Sequence, residues 1–192
     1  MYSSIRNSFS RHYKNTQESC LDITPGAALL FPLLYYFDTD GWFAAVLPAV
    51  FFHELGHYAA LRFCGGEIRF VRLEIWGLRM DASPFSSLAE EAFCAAAGPA
   101  AGLLWSLAAL RIHGNWWEKS ALSALLINLF NLLPALPLDG GRVLFALTGS
   151  RRLLRITGLV SCIALSGWAA AVRRLDLIFP AVLLFHYAIG SE

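Results

Sequence analysis

Two histidines and a glutamate stand close together at His53, Glu54 and His57, inside an otherwise apolar stretch. In a helix, residues four apart lie on one face, so both imidazoles can bind the same metal ion. Neutral imidazoles are typical zinc ligands, and an adjacent carboxylate can take a proton from a zinc-bound water. The pattern predicts zinc on His53 and His57, with Glu54 as general base. The alternative is a histidine pair that is only hydrogen-bonded within a helical bundle.

A catalytic zinc ion usually has three protein ligands, so a third ligand must come from elsewhere in the chain. The side chains considered for this position are Glu90, Glu91, His113, Asp139, Asp176 and His186. Asp139 stands out because two prolines and two glycines interrupt the apolar stretch around it. Irregular backbone at membrane depth is tolerated only where protein or water satisfies it, so this segment is expected to line a site. In the alternative interpretation, Asp139 caps residues 140–146.

Asn131 lies in the same interrupted stretch, eight positions before Asp139. Its amide could hold a substrate carbonyl group or donate to an oxyanion during peptide hydrolysis. The alternative is a hydrogen bond between two helices, which polar side chains often form inside membranes.

The composition is that of a membrane protein. Hydrophobic residues make up 57% of the 192 residues, charged residues 15%, and the mean hydropathy is +0.53. Soluble domains are less apolar and carry more charge. A net charge of +1 provides no basic surface, so no nucleic-acid partner is expected. The four cysteines form no C-x-x-C pair, which argues against a disulfide framework and a thiolate metal site.

Long apolar runs mark the predicted membrane helices, because a helix needs about 20 apolar residues to cross a bilayer. Six runs predict an all-α polytopic membrane protein: residues 23–37, 42–63, 92–110, 120–138, 156–172 and 177–189. After the second run, apolar and charged residues alternate over 67–81, around a turn signal at Trp76-Gly77. This predicts a short amphipathic β-hairpin at the membrane surface. The hairpin is either a surface flap or an edge strand that pairs with an extended substrate.

The distribution of lysine and arginine predicts the orientation. With six spans and a cytoplasmic N-terminus, eleven of these residues lie on the cytoplasmic side and four outside. This bias favours two cytoplasmic termini and places the metal motif within the bilayer. The predicted organisation is a polar cytoplasmic segment at 1–22 and one membrane-embedded domain at 23–192, with its metal-site core at 42–147.

Three motifs together resemble a known family. They are His53-Glu54-Leu55-Gly56-His57, Gly98-Pro99 and the segment from Asn131 to Arg142. They are similar to motifs of the site-2 proteases, which are zinc intramembrane metalloproteases, and in particular to the group of the stage IV sporulation membrane protease. Members often carry a polar residue shortly after the Gly-Pro pair, whereas Ala100, Ala101 and Gly102 follow here.

The resemblance implies a role for each residue of the site. One Zn²⁺ would bind His53, His57 and Asp139, Glu54 would be the general base, and Asn131 would orient the substrate. The implied enzyme is a multi-pass zinc metalloendopeptidase of the bacterial cell membrane. It would cleave a membrane-associated or single-span protein within or near the bilayer, by attack of a zinc-bound water that the glutamate activates. The implied partners are this substrate, the lipid bilayer and a regulatory membrane protein of unknown identity.

Two other functions stay open. A metal transporter also places histidine and aspartate inside helices, but it would carry further polar ligands along a path, and the other spans have few. A catalytically silent membrane scaffold of the same fold would be expected to lack Glu54 or Asp139, and both residues are present.

Overall fold

The computed structural model describes residues 21–74, 77–82, 85–173, 182 and 185. These residues form six helices and three short strands. In chain order they are β1 (Leu21–Ile23), α1 (Pro25–Phe37), α2 (Trp42–Phe63), β2 (Ile68–Glu74), β3 (Gly77–Ala82), α3 (Leu88–Ala109), α4 (Asn115–Asn131), α5 (Asp139–Thr148) and α6 (Arg151–Ala171). The chain is therefore mostly helical, with a small sheet.

Helices α1, α2, α3 and α6 overlap the first, second, third and fifth predicted spans, and α3 and α6 begin four and five residues earlier than predicted. The sixth predicted span, 177–189, lies outside the described residues. By length and composition, two helices of the described ranges could cross a membrane, α3 and α6. Helix α1 is apolar but has only 13 residues, and α2 contains the ionisable residues of the metal motif. The structure therefore supports a helical chain with two membrane-length helices, which is less than six spans.

The fourth predicted span is wrong at its C-terminal end. Helix α4 ends at Asn131, seven residues before the predicted end at Leu138. The residues between them form turns that include a cis peptide bond between Leu136 and Pro137. Proline lacks an amide hydrogen and clashes with the preceding helical turn, so the helix stops before this segment. A new helix, α5, then begins at Asp139.

The predicted hairpin is present, and a third strand joins it. Strands β2 and β3 are antiparallel, with Leu73 opposite Leu78, and β1 pairs in parallel with the other edge of β2. The backbone nitrogen of Thr24 donates to the Leu73 carbonyl oxygen over 3.0 Å. An ion pair of 2.8 Å joins Asp22 to Arg72 beside it. Strand β2 is therefore central in the described sheet, and β1 covers one of the two edges of the predicted hairpin.

Small residues allow α2, α3 and α4 to approach closely. A Cβ atom placed on Gly56 of α2 would lie 2.3 Å from the carbonyl oxygen of Ala97 in α3. The hydroxyl of Ser106 in α3 donates to the Ala121 carbonyl oxygen in α4 over 2.8 Å. Membrane helices use small residues and polar contacts in this way, because close backbone approach maximises packing. These three helices form the frame that positions the metal motif.

Candidate metal centre

Three donor atoms from two helices converge beside α2. His53 and His57 lie on one face of α2, and Asp139, the first residue of α5, faces both. The two Nε2 atoms are 3.1 Å apart. Oδ2 of Asp139 lies 3.3 Å from the Nε2 atom of His53 and 3.2 Å from that of His57. The three atoms form a nearly equilateral triangle.

This triangle has the size that a zinc ion requires. Zinc binds imidazole nitrogen and carboxylate oxygen at about 2.0–2.2 Å, and two ligands of a tetrahedral zinc are therefore roughly 3.3 Å apart. The three measured separations of 3.1, 3.2 and 3.3 Å agree with that value. His53 and Asp139 are each only 7% exposed, so the site is shielded from bulk solvent. The donor set and its geometry fit zinc, with a fourth tetrahedral position for water or substrate.

Hydrogen bonds at the far side of each ring fix which histidine nitrogen carries the proton. Nδ1 of His53 lies 2.7 Å from Oδ1 of Asn128, and Nδ1 of His57 lies 2.8 Å from the Cys94 carbonyl oxygen. Both partners are acceptors, so both Nδ1 atoms must donate. Both Nε2 atoms of the neutral rings then turn lone pairs toward each other and toward the Asp139 carboxylate. Such an arrangement is unfavourable without a cation, and bound zinc would stabilise it.

Asp139 divides its two oxygens between the histidines and a cation of its own helix. Oδ2 faces the histidine pair, and Oδ1 lies 3.5 Å from Nη1 of Arg142.

The alternative interpretation, in which Asp139 caps the segment 140–146, is wrong in detail. The N-cap position of α5 belongs to Leu138, and Asp139 is already helical.

The Gly98-Pro99 motif lies directly against the metal site. A Cβ atom on Gly98 would lie 2.2 Å from Nε2 of His57, so no larger residue fits beside that ring. Gly102, one turn further along α3, has the same relation to Asn128, whose amide nitrogen would lie 2.1 Å from an added Cβ. The residues after the Gly-Pro pair differ from the family pattern, and in this chain one of them makes room for Asn128.

The remaining site candidates lie as follows. Glu54 follows His53 in α2 and is half-buried, and Asn131 is the last residue of α4. The Asn131 amide nitrogen donates to the Ile127 carbonyl oxygen over 3.1 Å. Glu90 accepts from the Ser86 backbone nitrogen near the start of α3, and His113 is exposed between α3 and α4. Asp176 and His186 are outside the described residues. Among the candidates that lie in the described residues, the structure thus joins Asp139 to the histidine pair.

Sequence reasoning missed two groups of the site, Asn128 and the Cys94 carbonyl. Asn128 could have been noticed as a second amide in the apolar sequence of α4, three residues before Asn131. The carbonyl could not have been found from a side-chain pattern, because every residue carries one. Its position depends only on how α3 packs against α2.

Comparisons with known proteins agree with this geometry. The chain is 33% identical to stage IV sporulation protein FB of Bacillus subtilis over an alignment of 161 residues, which covers 73% of this chain and 56% of that protein. It is also 33% identical, over 144 residues, to a Mycobacterium tuberculosis protein named as zinc metalloprotease Rip3, covering 67% of this chain and 36% of that one. No protein-family model matches.

A solved structure decides the fold. It is the site-2 protease from Methanocaldococcus jannaschii, with a TM-score of 0.64, 21% sequence identity, and coverage of 91% of this chain and 92% of that one. The chain has the site-2 protease fold. The predicted resemblance to the site-2 protease family is confirmed. The matched regions span about half of the sporulation protein and about a third of Rip3.

Proposed function

We propose that this chain is a zinc-dependent intramembrane endopeptidase that cleaves a membrane-associated or single-span protein. The observation that carries the proposal is the triangle of His53, His57 and Asp139, whose separations of 3.1 to 3.3 Å suit tetrahedral zinc. When bound, zinc supplies a Lewis acid that polarises water and the substrate carbonyl group. Such a hydrolase also needs a general base. Glu54 is in the position for this role, because it directly follows His53 in the sequence.

The side chains have separate tasks in this mechanism. Glu54 takes a proton from the attacking water and returns a proton to the amine as the C–N bond breaks. Asn131 holds the scissile carbonyl group. Its amide nitrogen carries two hydrogens, so it can donate to the substrate as well as to the Ile127 carbonyl oxygen. Burial of the site excludes bulk water, which strengthens each of these interactions.

We further propose a polytopic chain in a bacterial cell membrane, with both termini cytoplasmic and residues 23–192 forming one embedded domain after a polar 1–22 segment. The two membrane-length helices, α3 and α6, support the membrane location. They present large apolar side chains outward, each more than half exposed: Leu104, Leu107, Val160 and Ile163. Lipid tails would cover this surface at no hydration cost.

The metal ligands favour an enzyme over a transporter. Within the described ranges, one group of histidine, cysteine and acidic side chains could hold a metal ion, namely His53, His57 and Asp139. A transport path needs successive ligand sets, because an ion must leave each site for another. The silent scaffold gains no support either, since Glu54 and Asp139 are both present.

The proposal is tested by cleavage in a reconstituted membrane. The purified protein in lipid vesicles, with a labelled single-span peptide, is expected to cut the peptide, to stop when a chelator removes zinc, and to recover when zinc is returned. A chelator-treated sample given magnesium is the control, since magnesium prefers oxygen ligands in octahedral geometry. Cleavage that survives complete zinc removal would overturn the proposal.

In the described sheet, of order β1-β2-β3, the outer side of β3 is the edge to which an extended substrate could pair. Since β1 covers β2, an extended substrate would pair with β3 on the side away from β2. Thr24 donates to the Leu73 carbonyl oxygen, so the backbone polar groups of Leu73 point toward β1. Polar groups alternate in direction along a strand, and Leu73 faces Leu78 while Val71 faces Met80. The backbone groups of Met80 therefore point away from β2, toward the outer edge.

We expect Met80→Pro to slow cleavage because it removes one outward backbone donor from β3. One lost hydrogen bond costs about 0.5–1.5 kcal/mol, which corresponds to roughly 2- to 12-fold weaker binding. Initial rates at low substrate concentration measure this effect. Met80→Val keeps the donor and is the matched control. Equal rates for the proline variant and the control, at equal zinc content, would show that substrate does not pair with this strand.

A further inference from the structure

We propose that Asn128 is a positioning residue of the metal centre, which fixes the ring and tautomer of His53 and thereby sets the zinc affinity. The proposal rests on the zinc site of the proposed function. Asn128 is fully buried, with 0% exposure, and its Oδ1 accepts from Nδ1 of His53 over 2.7 Å. A buried amide must have its polar atoms paired, so its orientation is strongly determined.

The other end of the Asn128 amide fixes that orientation. Its Nδ2 donates to the Ala124 carbonyl oxygen, one turn earlier in α4, over 2.6 Å. If the amide were flipped, Nδ2 would face His53 and Oδ1 would face a carbonyl oxygen, which is repulsive. Oδ1 is therefore held toward His53. The His53 proton must then lie on Nδ1, which leaves the Nε2 lone pair for the metal.

The two histidines differ in the kind of group that accepts the hydrogen bond from Nδ1. His57 donates to the Cys94 carbonyl oxygen, a main-chain group that no side-chain substitution removes. His53 depends on the side chain of Asn128. Without this acceptor, a buried His53 ring could keep the proton on Nε2 or turn about its side-chain bonds. Either change would cost the metal centre one of its three ligands, so zinc affinity should respond strongly to residue 128.

Gly102 in α3 leaves the space that the Asn128 amide occupies beside His53. An added Cβ there would lie 2.1 Å from Nδ2 and 2.4 Å from Oδ1 of Asn128. Gly102→Ala would therefore displace the intact amide from His53. This offers a second way to disturb the same contact without removing the amide, and it should lower zinc affinity in the same direction.

The test measures zinc retention in the full-length, zinc-loaded protein across a graded series of chelators. Asn128→Leu has a similar size but no acceptor, and we expect its zinc affinity to fall about 10- to 100-fold. Asn128→Asp keeps an acceptor oxygen toward His53 but replaces the donor to the Ala124 carbonyl oxygen by a second oxygen, so its zinc affinity should lie between those of the wild type and Asn128→Leu. Asn131→Leu is the matched control on the same helix. It removes an amide that bonds to Ile127, and its zinc affinity should be unchanged.

A second measurement reports the tautomer of His53 directly. It therefore distinguishes a positioning role of Asn128 from a general loss of structure in the variant. In ¹⁵N-labelled zinc-loaded wild type, the His53 Nδ1–H signal should be shifted downfield and exchange slowly with water, as it should in Asn128→Asp. If Asn128→Leu does not fold, the spectra of the aspartate variant and of the wild type still show whether His53 Nδ1 carries the proton. Unchanged zinc affinity in Asn128→Leu, or a His53 Nδ1 without a proton in wild type, would overturn the proposal. A wild type that retains zinc but cleaves nothing would overturn the proposed function alone.

Discussion

Replacing Glu54 by glutamine is expected to abolish peptide cleavage while zinc stays bound. Glutamine has nearly the same shape as glutamate, but its amide cannot take a proton from water at neutral pH. General acid–base catalysis contributes about 10²- to 10⁴-fold, so the loss should bring the rate close to background. The three proposed ligands, His53, His57 and Asp139, are untouched by the change, and the site should keep its metal.

Zinc content by elemental analysis and cleavage in vesicles measure the two effects separately. Asp139→Ala is the contrasting variant, because it removes one of three protein ligands and also the acceptor of Arg142. It should lose zinc together with cleavage. A Glu54→Gln protein that cleaves at the wild-type rate would contradict the role of Glu54 as base. An Asp139→Ala protein with full zinc and full activity would contradict the ligand set.

The second large effect is expected from a single methyl group, in Gly98→Ala. The new Cβ would lie 2.2 Å from Nε2 and 2.4 Å from Cε1 of His57, closer than any real contact allows. The ring has little room to move away, because its Nδ1 is bonded to the Cys94 carbonyl oxygen of the same helix. We therefore expect this variant to lose zinc and cleavage together, although residue 98 is not itself a ligand.

Gly167→Ala is the matched control, since it places the same methyl group in α6 at a position with open space around it. It should keep both zinc and activity. Zinc content relative to protein, measured after purification in identical buffers, checks the comparison. Full zinc occupancy in Gly98→Ala would contradict the proposed dependence of the metal site on the close packing of α3 against His57.

The features predicted well from sequence are those that depend on local spacing. His53 and His57 share a helix face because 3.6 residues make one turn, and this holds wherever the helix packs. The hairpin follows from alternation over a few residues, and the structure contains it. Asp139 could be singled out because prolines and glycines mark irregular chain around it. All of these signals are readable within a window of about one element.

The features that escaped prediction depend on contacts between distant parts of the chain. Strand β1 has three residues, too few for a pattern, and it exists because it pairs with β2 some 50 positions later. The contact between Asn128 and His53 joins residues 75 positions apart. The role of Gly102, which leaves space for Asn128, can be recognised only once that contact is known. The predicted run 120–138 extends past the end of α4 because the apolar residues continue into the turns after Asn131, where the prolines had already predicted irregular backbone.

The central claim is that zinc held by His53, His57 and Asp139 cleaves a peptide bond at membrane depth. It is tested most directly by mass-spectrometric mapping of the products when the wild-type protein acts on a single-span peptide in lipid vesicles. We expect a cut within or at the edge of the apolar span, which is absent in Glu54→Gln and which zinc restores to the chelated wild type. Products cut only in the soluble flanks, or formed equally by Glu54→Gln, would contradict it.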